Sequence, residues 1–237
     1  MNQHVRLGVI LLAAAASVAL TVALGRWQLS RAAQKEALHA AMQMQGAKSV
    51  LDAPSIVGAA DPLALVHQNA ILKGTWVPEK TVFLDNRQMN ARVGFFVLTP
   101  LLLQDSGAVI VVQRGWVPRN FENRTSLSAV YTPAGVVQVA GRIAPAPSKL
   151  YQLGTAQGGA IRQNLDLPQF KSETGLPLLA ITLQQTGAPS EGLLREWPAV
   201  NLGVEKHYGY AFQWFGLATL IVLLTVWFQF IRRFVSS

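Results

Sequence analysis

Apolar residues in this chain collect in two unbroken runs, one near each end, with short alternating or β-branched bursts between them. From His207 to Ile231, 25 residues carry no formal charge, and Lys206 and Arg232 bound the run. About 20 predominantly apolar residues suffice for a helix to cross a bilayer. Tyr208 to Ile231 holds twelve Leu, Ile, Val or Phe residues, and at roughly −0.3 to −0.6 kcal/mol each they favour insertion by about 4 to 7 kcal/mol. The run predicts a transmembrane helix over 207–231 with a histidine at its mouth.

Leu7 to Leu24 is the second run, 18 residues rich in Ala, Val and Leu. Its length suits a short span or the core of a cleaved signal peptide, with Thr21-Val22-Ala23 as a weak cleavage site. Gly25-Arg26-Trp27-Gln28-Leu29 continues in helix-compatible sequence with an interfacial Trp, which favours a retained helix. Ala15, Ala19 and Ala23 recur at intervals of four, a small-residue stripe suited to close approach of a second helix. Two spans place both termini on one side, and Arg6 and Arg232-Arg233 assign that side to the cytoplasm, although Arg26, Arg31 and Lys35 vote the other way.

The segment between the runs predicts one β-rich domain. Gly25 to Gln45 reads as a helix carrying the first span onward, with Trp27, Arg31 and Lys35 on one face. Asp52 to Pro62 reads as loop or short turns. Strand signals follow at Asn69–Leu72 into Gly74-Thr75-Trp76, Thr81–Leu84 before a polar turn at Asp85-Asn86-Arg87, Phe95–Leu98, Val109–Val112, Val136–Val139, Ile161–Asn164 and Leu179–Leu183. Asp166 caps a short helix that stops at Gly175. Thr132–Gly135 and Pro145–Gly159 read as loops, and Gly115 and Gly141 as strand-ending turn residues. Many short strands with few helices favour an antiparallel sheet or small barrel over a βαβ fold. The fold class is therefore an α+β membrane protein. A tail (1–6), a first span (7–24), a β-rich domain with a helical extension of that span (25–206), a second span (207–231) and a tail (232–237) make it up.

Charge adds little. All 12 acidic residues and 17 of the 20 Lys and Arg fall between residues 25 and 207, an excess of +5, with no dense basic run or nucleic-acid motif. A solvated surface beside anionic membrane lipid accounts for that excess without nucleic acid. With no cysteine, disulfides and thiolate metal sites are excluded. His4, His39, His67 and His207 do not pair at metal-site spacing. Ser55, Ser126 and Ser128 lack a nucleophile elbow, and Gly154-x-x-x-Gly158-Gly159 is followed by no Lys-Ser or Lys-Thr. No catalytic constellation is visible, and the reading is of a protein that is not an enzyme.

His207 stands apart through its setting. An interfacial histidine without chemistry and a single axial ligand to haem iron, which one protein imidazole can supply, both fit. On a helix it shares a face with Ala211, Trp214 and Ala218. That face suits a flat macrocycle packed against Trp214, and it suits equally close packing on the first span. Gly209 and Gly216 keep one side thin, and Gln213 needs a hydrogen-bonding partner within the lipid.

Four blocks resemble the Surfeit locus protein 1 family, in its bacterial form. They are Leu24-Gly25-Arg26-Trp27-Gln28-Leu29-Ser30-Arg31 followed by Lys35, Gly94-Phe95-Phe96-Val97-Leu98-Thr99-Pro100-Leu101, Val111-Val112-Gln113-Arg114-Gly115-Trp116-Val117-Pro118, and His207-Tyr208-Gly209-Tyr210-Ala211-Phe212-Gln213-Trp214-Phe215. Tyr208 departs from a more usual Leu, and Gln113 from an expected Asn. The resemblance implies a non-enzymatic factor of the bacterial inner membrane, with its main domain periplasmic, that assists assembly of the haem–copper terminal oxidase, cytochrome c oxidase. It implies haem a as a transient cofactor, oxidase subunit I as client and a haem a synthase as a further partner. On that reading His207 is the iron ligand, Trp214 lies near the ring, and Arg26 or Arg31 pairs with the propionates; Trp27 and Arg114 match motifs without an assigned role. A cofactor-free scaffold that stabilises an assembly intermediate is the alternative.

Overall fold

The computed structural model describes residues 3–120, 127, 129–151, 159–197 and 203–231. Ser126, Ser128, Gly154, Gly158 and Arg232-Arg233 lie outside the described residues, as does the side chain of His4. The chain divides into two compact units, one of residues 1–41 with 200–237 and one of residues 42–199.

In the first unit, α1 (Gln3–Gly46) is one continuous helix of 44 residues, whose last five belong to the second unit. Its Ala-rich, proline-free sequence propagates helix without a break, so the apolar run and its polar extension form a single rod. The second helix, α4 (Val204–Val226), starts at Gly203, whose φ of 59° is the left-handed geometry that glycine adopts freely. It ends in a π-helical turn over Trp227–Ile231. Both helices are long and apolar enough to cross a membrane.

The second unit is a barrel. Its strands are β1 (Asn69–Trp76), β2 (Val82–Met89), β3 (Arg92–Leu103), β4 (Val109–Pro118), β5 (Val136–Ala144), β6 (Ile161–Arg162) and β7 (Leu178–Gln185). β1 pairs with β5 along most of its length and with β3 at its end, so the order β1-β5-β7-β4-β3 returns to β1 and closes a ring of five. β2 extends the sheet from the first half of β3, and β6 lines β2. The expected antiparallel sheet is in fact mixed, because β4–β7 and β2–β6 pair in parallel. β7 returns through the helix α3 (Leu167–Thr174) into the gap between β5 and β4, and that crossover fixes its direction.

Two further expectations are corrected here. The polar Asp85-Asn86-Arg87 segment is a bulge inside β2, where the register shifts between Leu84 and Arg87 and Asn86 takes φ 58°. The hairpin turn comes later, at Asn90-Ala91, both with positive φ (51° and 59°) as a two-residue hairpin loop demands. Gly115 and Gly141 lie within β4 and β5 as sites of close approach: a Cβ on Gly115 would sit 2.7 Å from the Leu194 carbonyl oxygen, and one on Gly141 2.6 Å from that of Gln184. The stretch after Asp52 contains a short helix, α2 (Ala53–Val57), that buries Ile56.

Three apolar cores result, the smallest made of Phe83, Phe95, Val97, Val117 and Leu193. Leu72, Trp76, Leu101, Ile110, Ile143 and Leu183 fill the ring. Val82, Leu84, Val109, Leu165, Phe170 and Leu178 pack beneath α3. β4 contributes to all three, and its residues are buried from Val109 to Val117, which suits the β-branched run Val109–Val112 at its start. α3 keeps the expected signals: the Asp166 side chain accepts from the Gln169 N–H, and Gly175 closes the helix at φ 70°.

Arg114 is fully buried at the centre of a polar network. Its guanidinium donates to the Glu191 carboxylate (2.8 Å), the Tyr131 carbonyl (2.7 Å) and Thr132 Oγ1 (2.7 Å), and lies 4.7 Å from the centre of the Trp76 ring. Arg195 donates to the Arg114 carbonyl (2.8 Å), the Ala188 carbonyl (2.6 Å) and Ser190 Oγ (2.8 Å), and reaches the same Glu191. A second buried guanidinium, Arg87, donates to the carbonyls of Ser148 and Gln163, 2.8 Å each. The Trp116 indole in turn donates to the Arg87 carbonyl at 2.9 Å. Burial pulls the Arg87 and Arg195 pKa values below the usual guanidinium range. Gln113 donates to Thr182 Oγ1 (2.8 Å), tying the parallel β4–β7 pair side chain to side chain.

Glu191→Gln leaves two buried guanidiniums without a counter-charge, a loss of about 3 kcal/mol or more. Thermal unfolding of the full chain in detergent should show Tm lowered by roughly 6–12 °C. Asp166 also predicts a pH effect. The hydrogen bond from Lys149 and the Gln169 N–H hold its carboxyl below the ordinary carboxylate value. A depressed folded pKa contributes stability that is present above the unfolded value near pH 4 and is lost as pH falls through the folded one. Asp166→Asn keeps a capping oxygen but cannot titrate, so its denaturation midpoint should fall less steeply between about pH 5 and pH 3 than that of the wild type.

Candidate cofactor-binding site on the helical unit

The two helices of the first unit pack antiparallel along a seam of alternating four- and three-residue steps. On α1, Thr21, Gly25 and Ala32 are buried and Ala14, Val18, Gln28 and Lys35 half-buried. On α4, Ala211 and Ala218 are buried, while His207, Trp214 and Thr225 are half-buried. The expected stripe lies at the edge of this seam: Ala15, Ala19 and Ala23 are exposed, yet Ala15 and Ala19 line a groove with Val222, Thr225 and Val226 of α4. Steps of four advance about 40° beyond a full turn each time and drift off the interface, whereas alternating steps of three and four average 3.5 and stay on it. At Gly25 a Cβ would meet the Phe215 ring at 2.8 Å.

At the polar end of this seam, His207 Nδ1 is 2.7 Å from Gln28 Oε1. A carbonyl oxygen can only accept, so Nδ1 carries the proton, and in the neutral ring Nε2 keeps its lone pair. About two turns further along α1, the Tyr208 hydroxyl donates to Glu36 Oε1 at 2.9 Å. Lys35 lies close to the start of α4, its Nζ 4.0 Å from where a Gly203 Cβ would stand. The charges of Lys35 and Arg31 are near enough to act on the imidazole.

The residues singled out in the sequence divide into two groups. His207 and Trp214 share a face with Ala211 and Ala218 as expected, and that face is turned to α1. Arg26 and Arg31 are both exposed. Arg31 donates to Gln34 Oε1 at 3.1 Å and lies 6.0 Å from the Trp27 ring centre, while Arg26 makes no hydrogen bond or ion pair with another described residue. His39 is exposed, and half-buried His67 donates its backbone N–H to Ile143 within the barrel domain. No group of three or more metal-capable side chains occurs among the described residues.

Gln28 is the residue that sequence reasoning missed. Its signal was its place in the first block, three residues before Arg31 and seven before Lys35, on the face that meets α4. Lys35 was placed beside Arg31, but without its proximity to the second helix.

The site uses one imidazole, oriented by a neutral amide, at the end of an apolar helix pair with cations nearby. A barrel domain bracketed in sequence by two such helices defines a class of two-helix, barrel-bearing chains. This chain belongs to the SURF1 family, whose model matches residues 15–219 and so takes in every residue of the site. A SURF1-like protein of Rickettsia bellii is 25% identical over 227 residues, covering 92% of this chain and 88% of its own. Surfeit locus protein 1 of Arabidopsis thaliana is 30% identical over 124 residues, 47% of this chain and 34% of that protein. The Saccharomyces cerevisiae protein named Cytochrome oxidase assembly protein SHY1 is 27% identical over 94 residues, 40% of this chain and 24% of that protein.

Gly25→Leu should force the Phe215 ring out of the seam. Overpacking of this kind typically destabilises by about 1–3 kcal/mol. The expected outcome is a lower denaturation midpoint of the helical unit in detergent, followed by tryptophan emission, with little change in barrel strand content by circular dichroism.

Proposed function

We propose that this chain is a membrane-anchored assembly factor for the haem–copper terminal oxidase, cytochrome c oxidase, and that it binds haem a transiently through His207 for insertion into subunit I. The observation that carries the reading is the His207–Gln28 hydrogen bond. It selects the tautomer whose Nε2 carries an uncommitted lone pair and fixes the ring plane, which are what an imidazole would need to hold an iron centre. When bound, haem a supplies an iron centre that accepts Nε2 and two anionic propionates. The residues present fit such a group: a half-buried imidazole with one committed nitrogen, the half-buried Trp214 indole on the same helix face, and cations within electrostatic reach. Arg31 would pair with a propionate through a charge-assisted hydrogen bond, whereas Arg26, two residues from Gln28 and so about 160° around α1 from it, faces the other side of the helix. The two apolar helices hold the site at the bilayer surface, with both termini cytoplasmic and the barrel domain periplasmic in the bacterial inner membrane. Subunit I is the client, and a haem a synthase is the further partner that hands over the cofactor.

One observation favours a second reading. Ala211 and Ala218 are buried in the helix pair, so much of the face that could receive a macrocycle is occupied by α1. A cofactor-free scaffold that holds an oxidase intermediate would use the helix pair only as an anchor.

Co-expression with the haem a synthesis machinery, followed by visible spectra of the purified protein, separates the two. Haem a should co-purify with the wild type and be lost in His207→Ala. Gln28→Leu should keep the ligand but weaken binding by about 10–100-fold, the usual effect of removing the group that orients a ligating histidine. Unchanged haem content in His207→Ala removes this ligand assignment. No stoichiometric haem in the wild type, with crosslinks to subunit I preserved, establishes the scaffold.

A further inference from the structure

Hydrogen-bonding groups in a membrane helix must find partners, because lipid tails offer none. Three threonines in these helices do so within their own helix. Thr21 Oγ1 donates to the Ser17 and Val18 carbonyls (2.9 and 3.0 Å), Thr219 to Phe215 (3.0 Å) and Thr225 to Ile221 (2.7 Å). Gln213 does not. Its side chain is exposed and makes no hydrogen bond with any other described residue. It stands six residues past His207, about 9 Å along the axis, at 1.5 Å per residue, among Phe212, Trp214 and Phe215.

Successive residues of a helix are about 100° apart, which places Gln213 with Gly209, Gly216 and Leu220 on the side of α4 opposite the buried Ala211 and Ala218. All four are exposed. The two glycines differ from Gly25: a Cβ on Gly25 would strike Phe215, whereas one on Gly209 or Gly216 would have nothing within 4 Å. Packing of this chain on itself therefore requires neither of them. The spacing of 209, 213, 216 and 220 is four, three, four, the 3.5-residue repeat that keeps one face against a second helix in a left-handed pair.

We propose that this face of α4 is a self-association interface, in which two copies of the chain pair through parallel α4 helices and the Gln213 amides hydrogen-bond to each other across a twofold axis. The occupant follows from chemistry and depth. A primary amide carries both donor and acceptor, so it is complementary to itself. A twofold axis along the membrane normal brings the same residue of both copies to the same depth, where a partner for Gln213 has to lie. Gly209 and Gly216 let the backbones approach until the amides meet. The inference rests on α4 spanning a membrane and is independent of haem binding.

The chain contains no cysteine, so single-cysteine variants report contacts without background. Full-length Leu220→Cys, Gly209→Cys, Ala211→Cys and Val222→Cys are oxidised in native membranes and separated without reductant, after immunoblotting has confirmed equal membrane levels. Disulfide-linked dimers are expected at 209 and 220, with at least fivefold less at 211 and 222, which face other directions. Adding Gln213→Leu to Leu220→Cys should reduce the dimer at least fivefold, while Gln213→Asn restores much of it. Photobleaching of fluorescently labelled wild type, diluted into lipid vesicles, should show two steps, and Gln213→Leu one. The proposal is overturned by equal crosslinking at all four positions, by single-step bleaching of the wild type, or by capture of a different protein at 220 in place of a second copy. None of these outcomes depends on haem, so they leave the His207 reading standing or falling on its own spectra.

Discussion

A guanidinium with no access to water governs the arrangement of the second half of the barrel domain. Arg114 lies on a strand buried on both faces, and removing such a charge from water costs several kcal/mol unless it is paired and hydrogen-bonded. The chain meets that demand with residues distant in sequence, the Tyr131–Thr132 segment from one side and the Ser190–Arg195 segment from the other. Glu191 is held at φ 61° to reach it, a conformation that costs a non-glycine residue roughly 1–2 kcal/mol. The following Gly192 takes φ 80° without that penalty. Leu194 then bridges to Trp116, and Arg195 covers the Arg114 carbonyl. The path of the chain after the last strand of the barrel is therefore set by a single charge on β4.

Much of the fold was legible where one physical rule dominates. The two apolar runs, the Asp166 cap and the Gly175 stop depend on local chemistry: both runs are helical, within longer helical stretches than the runs themselves, and the cap and stop fall at the residues expected. Strand positions were legible as well, but their extents and directions were not. Asp85-Asn86-Arg87 carries strong turn residues, yet a bulge absorbs Asn86 and Arg87 turns inward to two carbonyls, a tertiary demand that propensity does not register. The parallel pairing of β7 with β4 depends on which gap in the ring is vacant when the chain returns through α3. Glycines 115 and 141 look like turn residues in sequence, and only the crossing strand or loop shows that they provide clearance.

The site was half legible. An imidazole at the entrance of an apolar run is visible in any reading of the sequence, and so is the face it shares with Ala211, Trp214 and Ala218. Its partner was not visible, because Gln28 lies 179 positions away and glutamine in an interfacial helix carries no motif. The seam runs beside the alanine stripe, whose Ala15 and Ala19 line its edge. Ala15, Ala19 and Ala23 form the tidier pattern, but a two-helix interface follows a period of 3.5, and Ala14, Val18, Thr21, Gly25, Gln28 and Ala32 keep it. Arg31 and Lys35 were placed on one face correctly, and Lys35 proves to be the one that lies beside the start of α4.

The group behind the histidine is an amide, and that choice sets how firmly the ring can hold anything. A carboxylate in the position of Gln28 would draw the Nδ1 proton toward itself and make Nε2 a stronger electron donor, as it does in sites that retain their metal. A neutral carbonyl fixes the same tautomer and orientation with much less push. An imidazole supported in this way is geometrically ready but electronically modest, and a metal centre bound to it would have a short residence time. Such a balance would suit relay better than storage.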